Sequence, residues 1–291
     1  EVVCLPFVPP GDCDALGLAA DDRRRSQRVV VNPIREEEPH LRSSLLPSLL
    51  RVAHQNLSRQ LDAVAIFEVA RIFLPGRRQA APEEPLCLAA LWTEPREPGL
   101  WRRVAPPALF FQAKGLAERL LIQAGYVASL QRESGAPYLH PGASVAIEVG
   151  QREVGVIGEL HPQVAANFGL EVPCAVMEIE LSALEAAPRR VPRFLEISRQ
   201  PRVLRDLAVV VDRDEKAGEI LSAIRKAGGR DLVTAELFDR YTGKGVPEGK
   251  ISLAYRLVFQ REDRTLTERE VAKATDRVVK MLSHRFGGEL R

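Results

Sequence analysis

Residues 196–259 constrain the fold more than any other stretch, because the spacing of apolar residues switches period twice within it. Leu207, Val209 and Val211 alternate with Ala208, Val210 and Asp212, the period of two expected of a strand. Ile220, Leu221, Ile224 and Ala227 then recur at helical spacing, and Gly228-Gly229 ends the helix. A strand through Leu237 and a Gly-rich turn follow, and Ile251, Leu253, Tyr255, Leu257 and Phe259 alternate again. Thr267-Glu-Arg-Glu270 has the spacing of a capping box. Val271, Ala274, Val278 and Leu282 behind it make one apolar stripe, and the sequence closes in a short Phe286–Arg291 segment. The order is βαββαβ, which predicts a ferredoxin-like (RRM-like) sandwich with both helices on one sheet face and the other face free.

The rest of the chain is long enough for a second core. With 291 residues, 45% of them hydrophobic, two domains are expected, 1–188 and 195–291. Glu185–Phe194, with two prolines and three arginines, reads as the linker. The net charge of +2 divides unevenly: residues 1–190 hold 20 basic and 23 acidic groups, net −3, and residues 191–291 hold 21 and 16, net +5. A modest positive excess confined to the second domain suits a module that faces nucleic acid, and equally an ordinary solvated surface.

Cys4, Cys13, Cys87 and Cys174 lack metal-ligand or paired spacing, which predicts reduced thiols and a cytoplasmic setting. No apolar run has the length of a membrane span and no secretory signal is visible, so no membrane partner is expected. Without an initiating Met, Glu1 reads as the start of a chain cut from something longer.

In the first domain, Glu1–Val8 and Arg28–Pro33 read as strands. Residues 41–61 read as a helix whose stripe contains Leu45, Leu49, Ala53 and Leu57, with Pro47 in the first turn. Strands are expected at 63–74, 86–92, 140–148, 154–162 and 176–181, with a loop rich in Pro, Gly, Arg and Glu elsewhere in 75–107. Residues 110–122 read as a strand-to-helix passage, and Lys114-Gly115 lacks the spacing of a phosphate loop. The His140-Pro and His161-Pro pairs have no ligand partners at metal spacing and read as turns. No nucleophile–base, paired-carboxylate or Walker arrangement stands out.

Several motifs, in order, resemble one family. Ser198-Arg199-x-Pro201-x-x-x-Arg205-Asp206, Leu237-Phe238-Asp239-x-Tyr241-x-Gly243-x-Gly245, Arg264-Thr265-Leu266-Thr267-x-x-Glu270 and Leu290-Arg291 are similar to the ferredoxin-fold anticodon-binding domain of the bacterial phenylalanyl-tRNA synthetase β subunit. Arg42-Ser-Ser-Leu-Leu-Pro-Ser-Leu-Leu with Asn56-x-x-Arg59 and Phe67-Glu68 resembles that subunit's version of the first class II synthetase motif. The resemblance covers essentially the whole chain. It implies an α+β fold, a class II synthetase-like antiparallel sheet with helices followed by the sandwich.

The resemblance also implies a division of labour. Class II sites grip nucleotide phosphates with an Arg-x-Glu element and an Arg behind a Gly-x-Gly-x-Gly strand, because phosphates call for fixed guanidinium forks. Residues 75–190 offer neither: Gly155-Val-Ile-Gly158 is followed by Glu-Leu-His. The expectation is a non-catalytic core that scaffolds a catalytic α subunit in an α2β2 ligase. No cofactor is expected on this chain, and ATP and Mg are expected on the α subunit.

The RNA partner implied is tRNA-Phe, and no DNA is expected. Asp239, Tyr241 and Ser252 are the expected anticodon contacts, with Phe238 beside them in that set or as sheet-face packing. Leu45, Leu49, Ala53 and Leu57 are expected to serve the core and a subunit interface together. A stand-alone RNA- or protein-binding scaffold is the alternative, and a stand-alone class II-like enzyme a further one.

Overall fold

A computed structural model describes residues 1–76, 81–94, 108–130, 133–191, 194 and 197–291. Parts of the expected 75–107 loop, Pro192 and Arg193 of the linker, and Glu196 lie outside the described residues. The chain divides into two compact units, Glu1–Pro192 and Arg193–Arg291.

Unit 1 contains β1 (Phe7–Val8), α1 (Asp12–Ala15), β2 (His40–Leu41), α2 (Leu46–Ser58), β3 (Ala65–Arg71), β4 (Leu86–Thr93), α3 (Leu109–Gln123), β5 (Ala128–Ser129), β6 (Leu139–Val149), β7 (Arg152–Leu160), α4 (Pro162–Asn167), β8 (Cys174–Glu180) and α5 (Leu181–Glu185). Its main sheet is antiparallel, in the order β3-β4-β8-β7-β6-β5. Alternation along β8 feeds two cores. Cys174 and Val176 face the α2 side, whereas Ala175, Met177 and Ile179 face the α3 side.

Three sequence expectations are corrected here. Residues 28–33 form an isolated bridge, Val29 to His40, because the partner strand β2 is only two residues long. Glu1–Val8 keeps strand geometry only at Phe7–Val8. Residues 110–122 are helical throughout, since Leu109, Ala113, Ala117 and Leu121 make a buried stripe at helical spacing that begins before Phe110.

The Arg42-Ser-Ser run of the first motif is a set of buried polar anchors. Arg42 donates from Nη1 to Glu68 Oε1 at 2.8 Å and from Nε to the Arg71 carbonyl at 3.1 Å, with the two side chains 5% and 2% exposed. Ser44 accepts from the Leu46 amide at the start of α2 and donates to Glu178 on β8. Glu178 also accepts from the Tyr138 hydroxyl, whose pKa is pushed well up by burial first and by that carboxylate second. These bonds fix α2 against the sheet in one register.

The stripe expected to serve both core and partner is spent on the core. Leu45, Leu49, Ala53 and Leu57 are all buried inside unit 1, among Leu16, Leu91 and Leu160. Within this chain all four are at most 4% exposed.

Unit 2 contains β9 (Val203–Asp212), α6 (Ala217–Gly228), β10 (Leu232–Tyr241), β11 (Lys250–Phe259), α7 (Glu268–Phe286) and β12 (Glu289–Leu290). Its sheet order is β10-β11-β9-β12, the split βαβ arrangement that the sequence predicts. The capping box is formed: Thr267 Oγ1 accepts from the Glu270 amide, and Glu270 accepts from the Thr267 amide at 3.0 Å. At the far end Gly287 takes φ +57° and the Gly288 amide donates to the Leu282 carbonyl, which closes α7. Ile220, Ile224, Val278 and Leu282 of the helices pack on Leu253, Tyr255 and Leu257, so one sheet face is buried.

Candidate nucleic-acid interface

The other face of the unit 2 sheet is set by the same alternation. On β11, Tyr255 and Leu257 point to the helices, so Ser252, Ala254 and Arg256 point away from them. Residues paired across strands share a face, and the register pairs Tyr241 with Ser252 and Asp239 with Ala254. Asp239, Tyr241 and Ser252 therefore sit together on the helix-free face, at the end of the sheet next to the β10–β11 turn.

Their surroundings differ. Tyr241 is 37% exposed and lies against Gly243, where a Cβ would come within 2.3 Å of the phenolic oxygen. Only glycine leaves room for the ring in that position. The Arg291 guanidinium carbon lies 4.5 Å from the centroid of the Tyr241 ring, within cation–π range. Arg291 follows β12, and its amide donates to Ala208 on β9, so its side chain crosses β9 and β11 to meet the ring on β10.

Ser252 lies under that crossing, between Tyr241 and Val210 in the register, and is only 4% exposed. In this structure its hydroxyl is closed off from solvent. Asp239 is exposed, and its Oδ1 accepts from the Arg240 amide at 2.9 Å, which leaves lone pairs for further donors.

Phe238 also lies on the open face. The register slips between Leu237 and Asp239, and the Arg256 guanidinium carbon sits 4.8 Å from the Phe238 ring centroid. The sequence motifs do not single out Arg256; its position on β11, in phase with Ser252 four residues away, is the signal that places it on the open face.

The unit 1 sheet offers a different surface. Between α3 and the β3–β4 side of the sheet runs a groove of about 1180 Å³, lined by Phe67, Val69, Leu88, Trp92, Leu116, Leu120 and Met177 among others. No Arg or Lys lines it among the described residues. The two glycines of Gly155-Val-Ile-Gly158 serve strand packing: a Cβ on Gly155 would fall 2.1 Å from the Glu178 carbonyl oxygen, and one on Gly158 2.6 Å from Ser144 Cβ.

His140 and His161 act as turn devices, each accepting a backbone amide at Nδ1, from Gly142 and Gln163 respectively. Among the described residues no group of three or more His, Cys, Asp or Glu is placed to hold a metal ion. Nor is any helix among them long and apolar enough to cross a membrane.

Comparison with known families gives the class of this pairing of an antiparallel sheet flanked by helices with a ferredoxin-like sandwich, that of the aminoacyl-tRNA synthetases. Residues 1–181 match the family described as phenylalanyl tRNA synthetase beta chain CLM domain, and residues 198–291 match the ferredoxin-fold anticodon binding domain. The chain belongs to the phenylalanyl-tRNA synthetase beta chain family. It is 41% identical over 295 residues to the phenylalanine–tRNA ligase beta subunit of Moorella thermoacetica, and 40% identical over 297 residues to that of Symbiobacterium thermophilum. All of this chain is covered in both cases, but only 36% and 32% of the relatives, so the chain spans about a third of their length.

Proposed function

We propose that the chain is the C-terminal portion of the non-catalytic β subunit of a cytoplasmic phenylalanine–tRNA ligase. Residues 1–188 form a catalytic-like core that scaffolds the α subunit, and residues 195–291 bind the anticodon of tRNA-Phe. The observation that carries this reading is the open face of the second sheet, where an exposed phenol, a carboxylate with free lone pairs and a neighbouring hydroxyl converge.

Anticodon bases are unpaired, so an aromatic face can stack on them and polar groups can read their edges. Tyr241 supplies the stacking face. Asp239 accepts from base amino or imino groups, and Ser252 donates or accepts once the Tyr241–Arg291 pair opens. An acidic reader favours the donor-bearing edge of a guanine over a phosphate.

The α subunit carries ATP and Mg in this reading. With Leu45, Leu49, Ala53 and Leu57 buried, the subunit contact passes to the apolar groove on the opposite, α3 side of the sheet. Phe67 and Val69 on the edge strand β3, 40% and 43% exposed, and Leu116 and Leu120 of α3 line that groove. An α2β2 assembly is the expected stoichiometry.

Reconstitution with an α subunit tests the reading. Tyr241→Ala or Asp239→Ala is expected to weaken tRNA-Phe charging and leave phenylalanine activation intact. Loss of activation as well would contradict it.

A further inference from the structure

The open face of unit 2 carries a second aromatic–guanidinium pair, separate from the Tyr241 group. Phe238 stands at the β10 bulge, a feature that re-aims a side chain, and its ring is 50% exposed. The Arg256 guanidinium lies over it, 4.8 Å from the ring centroid, and is oriented by a carboxylate. Its Nε and Nη2 donate to the two oxygens of Asp206 at 2.9 and 2.8 Å, a fork between directly paired residues of β11 and β9. The Arg256 guanidinium holds the Asp206 carboxyl below its usual range, through that hydrogen bond first.

The surrounding charge says which ligand fits. Arg256 is flanked in the register by Asp206 on one side and Glu236 on the other, one cation against two carboxylates. A phosphate is repelled from such a site. A neutral planar heterocycle is not, and it gains a flat surface whose ordering cost is already met by the fork. Leu204, exposed two residues before Asp206 on β9, extends the apolar margin of the same face.

We propose that Phe238 and Arg256, fixed by Asp206, form a second nucleobase-stacking site for a neighbouring unpaired base of the same RNA loop. This inference rests on the anticodon reading above. Phe238 and Tyr241 are three positions apart on one strand, about 10 Å, and sandwiches of this build stack two or three bases along one sheet. Phe238 and Arg256 are positioned to hold a base by its faces, leaving edge recognition to Asp239.

The test uses the whole chain and a tRNA-Phe anticodon stem-loop, intact or made abasic at single loop positions. Affinities are measured for the wild type, Tyr241→Ala, Phe238→Ala and Arg256→Lys, with folding checked by thermal melting. Phe238→Ala is expected to weaken binding about tenfold or more, and to make one abasic substitution silent at a position different from the one silenced by Tyr241→Ala. Arg256→Lys keeps the charge but loses the plane, and is expected to weaken binding at that same position with an unchanged salt slope. Wild-type affinity of Phe238→Ala alongside a weakened Tyr241→Ala would overturn the second site and leave the anticodon reading standing. Wild-type affinity of both variants would overturn both.

Discussion

The two sheets of this chain handle their arginines in opposite ways. In unit 1, Arg42 is buried against Glu68 and the Arg71 carbonyl, and the described surface of the groove beside that sheet is apolar. In unit 2, Arg256 and Arg291 lie at the surface, each over an aromatic ring on the helix-free face. A buried guanidinium with its carboxylate fixes register and offers nothing to a ligand. A guanidinium stacked at the surface is poised to share its aromatic neighbour with a base. In the proposed reading, the contrast separates a unit that holds a shape and meets apolar surface from one that touches unpaired nucleotides.

The largest effect should come from breaking the buried pair. Arg42→Met alone leaves Glu68 buried without a cation and should cost unit 1 about 3–5 kcal/mol, whereas Arg42→Met with Glu68→Leu should recover most of that loss. Denaturant melts of the single and double variants check this. Arg256→Met, the surface counterpart, should leave the melt nearly unchanged and affect only RNA affinity.

Next in size is Gly243→Ala. The added Cβ would drive into the Tyr241 ring, and displacing that ring should weaken stem-loop binding about as much as Tyr241→Ala, about tenfold. Equal affinity for Gly243→Ala and the wild type would remove Tyr241 from the site.

A smaller effect concerns acid. Arg264 and the Thr267 amide hold the Glu270 carboxyl well below its ordinary 4.5, and Arg261 does the same for Asp231 relative to 3.8. Groups with depressed folded-state values contribute stability above their unfolded values, and that contribution is lost as the pH falls through the folded ones. Unit 2 should thus melt at a constant temperature from neutral pH to about 5 and progressively lower below about 4. Glu270→Gln should flatten the acid limb.

The smallest stability change is expected at the groove. Phe67→Ser and Val69→Ser on the exposed edge strand should shift the melt by no more than about 0.5 kcal/mol. Together they should nevertheless abolish pull-down by a phenylalanyl-tRNA synthetase α subunit.

Much of unit 2 is legible in the sequence, because its strands are half-buried and alternate cleanly. The capping box at Thr267 and the helix stop at Gly228-Gly229 mark their elements by local chemistry alone. Unit 1 is less so. Residues 110–122 look ambiguous because two adjacent phenylalanines mimic a strand, and only the buried Leu109–Ala113–Ala117–Leu121 stripe settles the period. The α2 stripe shows how far periodicity reaches: it marks a buried face, but whether that face meets the same chain or another depends on packing partners distant in sequence. The pairing of Arg42 with Glu68, 26 residues apart, and of Arg256 with Asp206, 50 apart, follows from strand register that no local signal carries.

Hydrogen–deuterium exchange of the whole chain, with and without a tRNA-Phe anticodon stem-loop, tests the contrast most directly. The expected result is slowed exchange confined to residues 238–252, with the β3–β4 strands of the first unit unchanged. Protection that appears instead on residues 65–93, with the 238–252 hairpin unaffected, would contradict the assignment of base reading to the second sheet.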